Sequence, residues 1–264
     1  MKTIKLSIEE LIFSFYSEGL YEQGISLKET YFPALEDSEL KLMLEFASRS
    51  LLAKDMAEEV DNQYKLKKEY TSFIHILNSA EKTVKASRFN QDLEGEESIS
   101  FHFKEGAVFH HRLLHDHQVH LISKYPKKEV ISSLLEFFNF TSSCKQSEVI
   151  FKLTNEEFEE LLGDMSQLDS ITESTIHKWQ SKIQHSLASI FLKDITIRKG
   201  KMDSLLSLEY DTSNNPELID IYFVIPGQAE SWLIKRDQNL DLNILRLNET
   251  TINDLLLNSR VFAS

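Results

Sequence analysis

The sequence predicts an α+β protein made of two related subdomains. Each is expected to place a four-stranded meander on a central antiparallel β-sheet flanked by helices, the halves being related by a pseudo-two-fold axis. Two observations carry this expectation. Apolar residues recur at helical spacing in some stretches and alternate in others, and the order of helices, four strands and a helix occurs twice along 264 residues. The boundaries read from this pattern are 1–139 for the first subdomain, 140–150 for a linker and 151–264 for the second.

In the first half, LSIEELIFSFY places Ile8, Leu11, Ile12 and Phe15 on one helical face. Ser7 followed by Glu10 forms a capping box, in which each side chain takes up a backbone N–H at the helix start. A second helix is expected after Asp37, burying Leu40, Leu44, Ala47 and Leu51. A third is expected from about Glu58 to Ala80, burying Tyr70, Phe73, Ile74 and Leu77. The period then changes to two. KTVKASRF (82–89), SISFHF (98–103), AVFHHRLL (107–114) and QVHLIS (118–123) read as strands. KEG is expected as a three-residue turn with Gly106 at positive φ, and HDH as the next turn. Pro126 suits the first turn of a helix, where its missing N–H costs nothing, and Val130, Ile131, Leu134, Leu135 and Phe138 line that helix.

FTSSCKQSE (140–148) is the expected linker. Beyond it, FKLTNEEFEELL (151–162) echoes IKLSIEELIFSF (4–15), with a second capping box of Thr154 and Glu157. One long helix over 174–192 is expected to bury Ile176, Trp179, Ile183, Leu187 and Phe191. Strands follow at 204–211, 218–225, 230–236 and 240–247, and Asn248 caps a last helix over 249–258. Ile99, Phe101 and Phe103 correspond to Ile221, Phe223 and Ile225. A match this ordered points to duplication of one α+β unit.

Composition narrows the function. The 41% hydrophobic and 10% aromatic contents are those of a globular chain. A net charge of −13 leaves no cationic surface to displace counterions from nucleic acid. It suits a basic or polar protein partner instead. Cys144, the only cysteine, excludes an internal disulfide and a cysteine-based zinc site. The N-terminus lacks the apolar core of a signal peptide, and the apolar runs are too short to span a bilayer. A cytoplasmic protein with no membrane insertion is the resulting expectation.

Six of the nine histidines fall within FHFKEGAVFHHRLLHDHQVH (101–120). With three-residue turns, Phe101, Phe103, Phe109, His111, Leu113, Val119 and Leu121 share one sheet face. His102, His110, Arg112 and His120 share the other, with Arg112 opposite His120. The histidines then act as polar cover on a half-solvated face. His115 and His117, beside Asp116, are the remaining metal candidates, but zinc sites use three or four protein ligands. No metal or cofactor is expected. The nucleophile elbow, the HExxH zinc motif, the Gly-rich phosphate loop and the CxxC pair are absent from the sequence. The runs Glu156–Glu157 and Glu159–Glu160 are explained as a solvated helix face whose acids favour its N-terminal dipole. Trp179 and Trp232 read as core. No catalytic residues are assigned, and a binding scaffold rather than an enzyme is expected.

The N-terminal LSIEEL helix (6–11), the following LEFASRSLLAKDM, the strands SISFHFKEGAVFHH and QVHLIS, and the repetition of the theme resemble the EspG-type chaperones of type VII (ESX) secretion. The likeness is one of architecture and patterning over nearly the full length. The chain is poorer in Gly, Pro and Ala and richer in Lys, Ile, Asn and Phe than mycobacterial members. A diverged counterpart from a low-GC Gram-positive system fits that composition. The resemblance implies a cytosolic chaperone or adaptor. Its expected partner is a secreted helical-hairpin protein, of the WXG or LXG kind or the PE/PPE kind, kept soluble for export. It also implies the docking elements, namely the loop with Asp92, Leu93, Glu94, Glu96 and Glu97, and the C-terminal helix with Leu255, Leu256 and Leu257. The alternative is an acidic immunity protein that neutralises a basic secreted toxin. An enzyme using the His115–His117 loop ranks third.

Overall fold

A computed structural model of the chain describes residues 2–139, 148–166, 173–248 and 250–252. The fold is α+β, built on a large antiparallel sheet flanked by helices. Two compact units interleave along the chain. One comprises Met1–Lys82, Ile99–Lys127 and Tyr210–Asn215, the other Thr83–Ser98, Lys128–Glu209 and Pro216–Ser264.

The first unit opens with β1 (Thr3–Ser7), which runs straight into α1 (Ile8–Ser17). The expected capping box is present: Glu10 N–H donates to Ser7 Oγ at 3.3 Å, and Ser7 N–H donates to Glu10 Oε2 at 2.9 Å. Glu10 is itself buried and also accepts from Lys54 Nζ at 2.7 Å and Ser50 Oγ at 2.6 Å. Next come α2 (Tyr21–Tyr31) and α3 (Asp37–Ala53). The sequence pattern did not reveal α2, because Gly24 is its only buried residue. On α3, Ala47, Ser48 and Leu51 are the buried positions, while Leu40 and Leu44 are half-buried.

The expected helix from Glu58 to Ala80 is corrected. A hairpin of β2 (Ala57–Val60) and β3 (Gln63–Leu66) occupies its first part, and α4 (Lys68–Ser79) the rest. Asp61 and Asn62 at the turn have φ of 53° and 61°. Both are residue types that tolerate the left-handed region, as a two-residue hairpin turn requires. The strands β4 (Lys82–Phe89), β5 (Glu96–Lys104), β6 (Ala107–Leu114) and β7 (Val119–Tyr125) follow as the alternation predicts. In the first unit the sheet order is β1, β7, β6, β5. One face carries Ile4, Leu6, Phe109 and Ile122 into a core with Leu11, Phe15, Phe73 and Ile74.

After α5 (Val130–Phe137), the second unit repeats the opening theme. The strand β8 (Val149–Leu153) leads into α6 (Asn155–Ser166), so the last residues of the expected linker are strand. Residues 140–147, including Cys144, lie outside the described residues. The second capping box is also present, with Thr154 N–H donating to Glu157 at 2.9 Å and Glu157 N–H to Thr154 Oγ1 at 3.2 Å. The single helix expected over 174–192 is corrected to α7 (Glu173–Ile183) and α8 (Ala188–Ile197). Gln184 breaks it with φ of 50°, and His185 Nδ1 accepts from the backbone N–H of Leu187 at 3.1 Å. Trp179 and Phe191 of the predicted stripe are buried and share a core with Trp232, while Ile176, Ile183 and Leu187 are half-buried against it. The strands β9 (Asp203–Tyr210), β10 (Pro216–Pro226), β11 (Ser231–Arg236) and β12 (Leu242–Arg246) complete the chain. The sheet order in this unit is β4, β9, β10, β11, β12, β8.

The strand count departs from a bare four-stranded meander, because each half adds its opening strand. β1 pairs antiparallel with β7, and β8 pairs antiparallel with β12. The opening strand therefore pairs with the last meander strand of its own half, and a capped helix follows it both times. Residues 250–252 are helical, as expected for the start of a last helix.

Candidate functional site

The turn from Asn90 to Gly95 carries the predicted acidic residues. It closes on Asn90, whose Oδ1 accepts from Gly95 N–H at 3.0 Å and whose own N–H donates to the Gly95 carbonyl at 2.9 Å. Asp92 Oδ1 accepts from Glu94 N–H at 2.8 Å, a local side-chain turn that an aspartate favours. Asp92, Glu94 and Glu96 are exposed. Glu97 is exposed as well and ion-paired, whereas Leu93 is buried. Leu93 adopts φ of 63°, is 9% exposed, and its carbonyl accepts from Lys201 Nζ at 2.5 Å. Glu97 Oε2 accepts from Arg88 Nη2 at 2.8 Å and Nε at 3.1 Å. The turn thus presents a carboxylate rim with its apolar residue folded inward.

Beneath the turn is a cleft of about 570 Å³, lined in part by Leu93, Phe138 and Ile197 and by the charged Arg88, Arg198 and Asp203. Asp203 is 2% exposed and accepts from Phe89 N–H at 2.9 Å and from Arg198. Burial pushes its carboxyl above the usual range, against the opposing pull of the Phe89 amide and Arg198. Each charged group in this cleft answers another, which is the mark of a structural network more than of a poised acid or base. Leu255, Leu256 and Leu257, the other predicted docking residues, lie outside the described residues.

A second surface, which the sequence pattern did not single out, lies in the first unit. Leu42 and Phe46, one helical turn apart on α3, are 50% and 57% exposed. With Leu35, Met43 and Ala47 they line a groove of about 510 Å³ bordered by Glu9 and Glu39. Exposed apolar residues four apart on α3 are the sequence signal, visible once Ala47 and Leu51 are known to face inward.

The histidines are arranged otherwise than expected. The β5–β6 turn has two residues, Glu105 and Gly106, at φ of 49° and 75°. Lys104 therefore pairs with Ala107, and Phe101 with His110. The β6–β7 connection has four residues rather than three, and its first three, His115, Asp116 and His117, all have positive φ. Arg112 pairs with Leu121, not with His120. These slips bring His102, His111 and His120 onto the face that also carries Phe109 and Ile122. The half-solvated polar cover is thus corrected to a histidine row packed under helices. His111 Nε2 and His120 Nδ1 are 3.0 Å apart in a hydrogen bond, and their rings stack at 5.1 Å. The His102 and His111 rings are 5.8 Å apart. His110 is on the opposite face, stacked on Phe101 at 4.8 Å. Burial holds His102, His110 and His120 down at about 4, reinforced by His110, Arg112 and His117 respectively. His115 and His117 are exposed. Among the described residues, no three His, Cys, Asp or Glu side chains are grouped to hold a metal ion.

Comparison with known proteins places these features in context. The chain matches the sequence family described as "Uncharacterised protein YfjC" over residues 3–256, and it belongs to that family. It is 40% identical over 257 residues to the protein YfjC of Bacillus subtilis (strain 168), covering 97% of this chain and 99% of that protein. Among solved structures, it is similar to the Mycobacterium tuberculosis type VII secretion system chaperone EspG5, determined in complex with the PE25–PPE41 dimer. The TM-score is 0.61 at 8% identity, over 95% of this chain and 93% of that one. At that identity the likeness is one of fold. The architecture is EspG-like, and no described helix is long and apolar enough to cross a membrane.

Proposed function

Taking membership of the YfjC family and an EspG-like fold as premises, we propose that this protein is a cytoplasmic, non-enzymatic chaperone or adaptor for a type VII secretion system. It binds a secreted helical-hairpin protein and keeps it soluble for export. The observation that carries the reading is the near full-length fold likeness to a chaperone whose structure holds a PE25–PPE41 dimer. Two features add support. The rim of Asp92, Glu94 and Glu96 supplies exposed negative charge that steers and orients a partner. The apolar pair Leu42 and Phe46, bordered by Glu9 and Glu39, matches an amphipathic helix with basic flanks. Leu255, Leu256 and Leu257 complete the proposed docking set.

The net charge of −13 also favours a second reading, an immunity protein for a basic toxin. Co-expression with the products of neighbouring genes separates the two. The chaperone reading expects a small helical protein of the WXG or LXG kind to co-purify stoichiometrically. Co-purification of a toxin domain with no helical protein would overturn it.

A further inference from the structure

In the first unit, residues of α1, α2 and α4 and the histidine row line a largely open pocket of about 520 Å³. Its walls are Leu11 and Phe15 from α1, Leu27 from α2 and Leu77 from α4. Its floor is His102, His111 and His120, and Glu22, Gln23 and Ser26 of α2 give its remaining polar lining. A volume in this range is that of small-molecule sites, which are mostly apolar with a few convergent polar groups. His120 is 5% exposed; its Nδ1 is engaged by His111, and its Nε2 is buried without a hydrogen-bond partner. Buried polar atoms are ordinarily satisfied, so an orphaned ring nitrogen calls for an explanation.

We propose that this cavity is a binding site for a neutral, mainly apolar molecule with a hydroxyl head, seated against His120. The head group follows from the lining. Among the described residues, no Lys or Arg side chain lines the pocket, and Glu22 does, so an anionic head finds no counter-charge there. A neutral imidazole offers one donor and one acceptor, and the tautomer of the His111–His120 pair decides which of them Nε2 presents. A hydroxyl both donates and accepts, so it satisfies Nε2 in either case. The leucines and Phe15 receive the apolar body. This inference concerns the first unit alone and does not depend on the secretion reading.

The test uses 1-octanol and octanoate, which share a chain and differ in head group, with the full-length protein at pH 7.5. Binding is read from histidine side-chain NMR shifts. The expected result is a saturable shift of the His120 ring resonances with 1-octanol, at least tenfold weaker with octanoate. Leu27→Trp, which fills the cavity from its half-buried wall, should abolish the shift while the circular dichroism spectrum is unchanged. Should that variant misfold, displacement of bound 1-octanol by 1-decanol in the unsubstituted protein gives the same readout. Absence of a saturable shift, equal binding of octanoate, or an undiminished shift in folded Leu27→Trp would overturn the proposal.

Discussion

Three buried imidazoles and one glycine set the sharpest expectations for single residues. Burial keeps His102, His110 and His120 neutral down to about pH 4, against an ordinary value of 6.5. Between those limits the unfolded chain binds protons that the folded chain refuses. The stabilisation is therefore complete above about pH 6.5 and is lost as pH falls toward 4. A full shift of one imidazole corresponds to roughly 3 kcal/mol as a ceiling. Urea denaturation at pH 7 and pH 5 should show the loss, and His120→Gln should flatten the slope between them. Gly227 makes a different demand. A Cβ there would come 2.2 Å from Asp194 Oδ2 and 2.3 Å from the Glu230 carbonyl. Asp194 is buried and accepts from Trp232 Nε1 at 2.9 Å, so it has little room to retreat. Gly227→Ala is expected to destabilise by about 1–3 kcal/mol, the usual cost of overpacking, read as a lower urea midpoint with unchanged slope.

Among the elements, the two capping boxes offer a matched comparison. Ser7→Ala and Thr154→Ala should each cost about 1 kcal/mol, the typical value of an N-cap. The partner acids differ more. Glu157 is part of an exposed cap, whereas Glu10 is buried and also holds Lys54 and Ser50. Thermal unfolding should rank Glu10→Ala as more damaging than Glu157→Ala. Both boxes were legible in the sequence because capping depends on residues three apart and on nothing distant. The strands of the meander were legible for the same reason, alternation being local. Their register was not. Glu105–Gly106 makes a two-residue turn where KEG suggested three, and one residue of slip changes which side chains lie opposite one another. The row of His102, His111 and His120 was hidden by that slip, although their even nine-residue spacing is its trace in the sequence. The β2–β3 hairpin was missed because its one strong signal is Asp61–Asn62, within a stretch otherwise rich in helix-forming Glu and Lys. The break at Gln184 has no Pro or Gly to announce it.

Across the whole molecule, the recurrence of a strand followed by a capped helix was readable from the sequence because it is a matter of element order. The exposure of the loop residues named as docking elements was only partly legible. Charge placed Asp92, Glu94 and Glu96 on the surface correctly, but polarity alone could not show that Leu93 turns inward under Lys201. Leu42 and Phe46 were hidden among the apolar residues of α3, where only the packing decides which stripe faces the core. If the acidic rim steers a partner, Asp92→Lys, Glu94→Lys and Glu96→Lys together should slow association and weaken its salt dependence, with stability nearly unchanged. Surface plasmon resonance at low and high salt checks this. The central claim is that the chain shields a secreted helical-hairpin protein, and its most direct test is a solubility measurement. Each small protein encoded by a neighbouring gene and predicted to be a helical hairpin is expressed alone and together with the chain, and the soluble fraction is sized by light scattering. The account predicts that the partner moves from the pellet into a soluble complex of fixed stoichiometry. A partner that stays in the pellet, or dissolves without joining a complex, would contradict it.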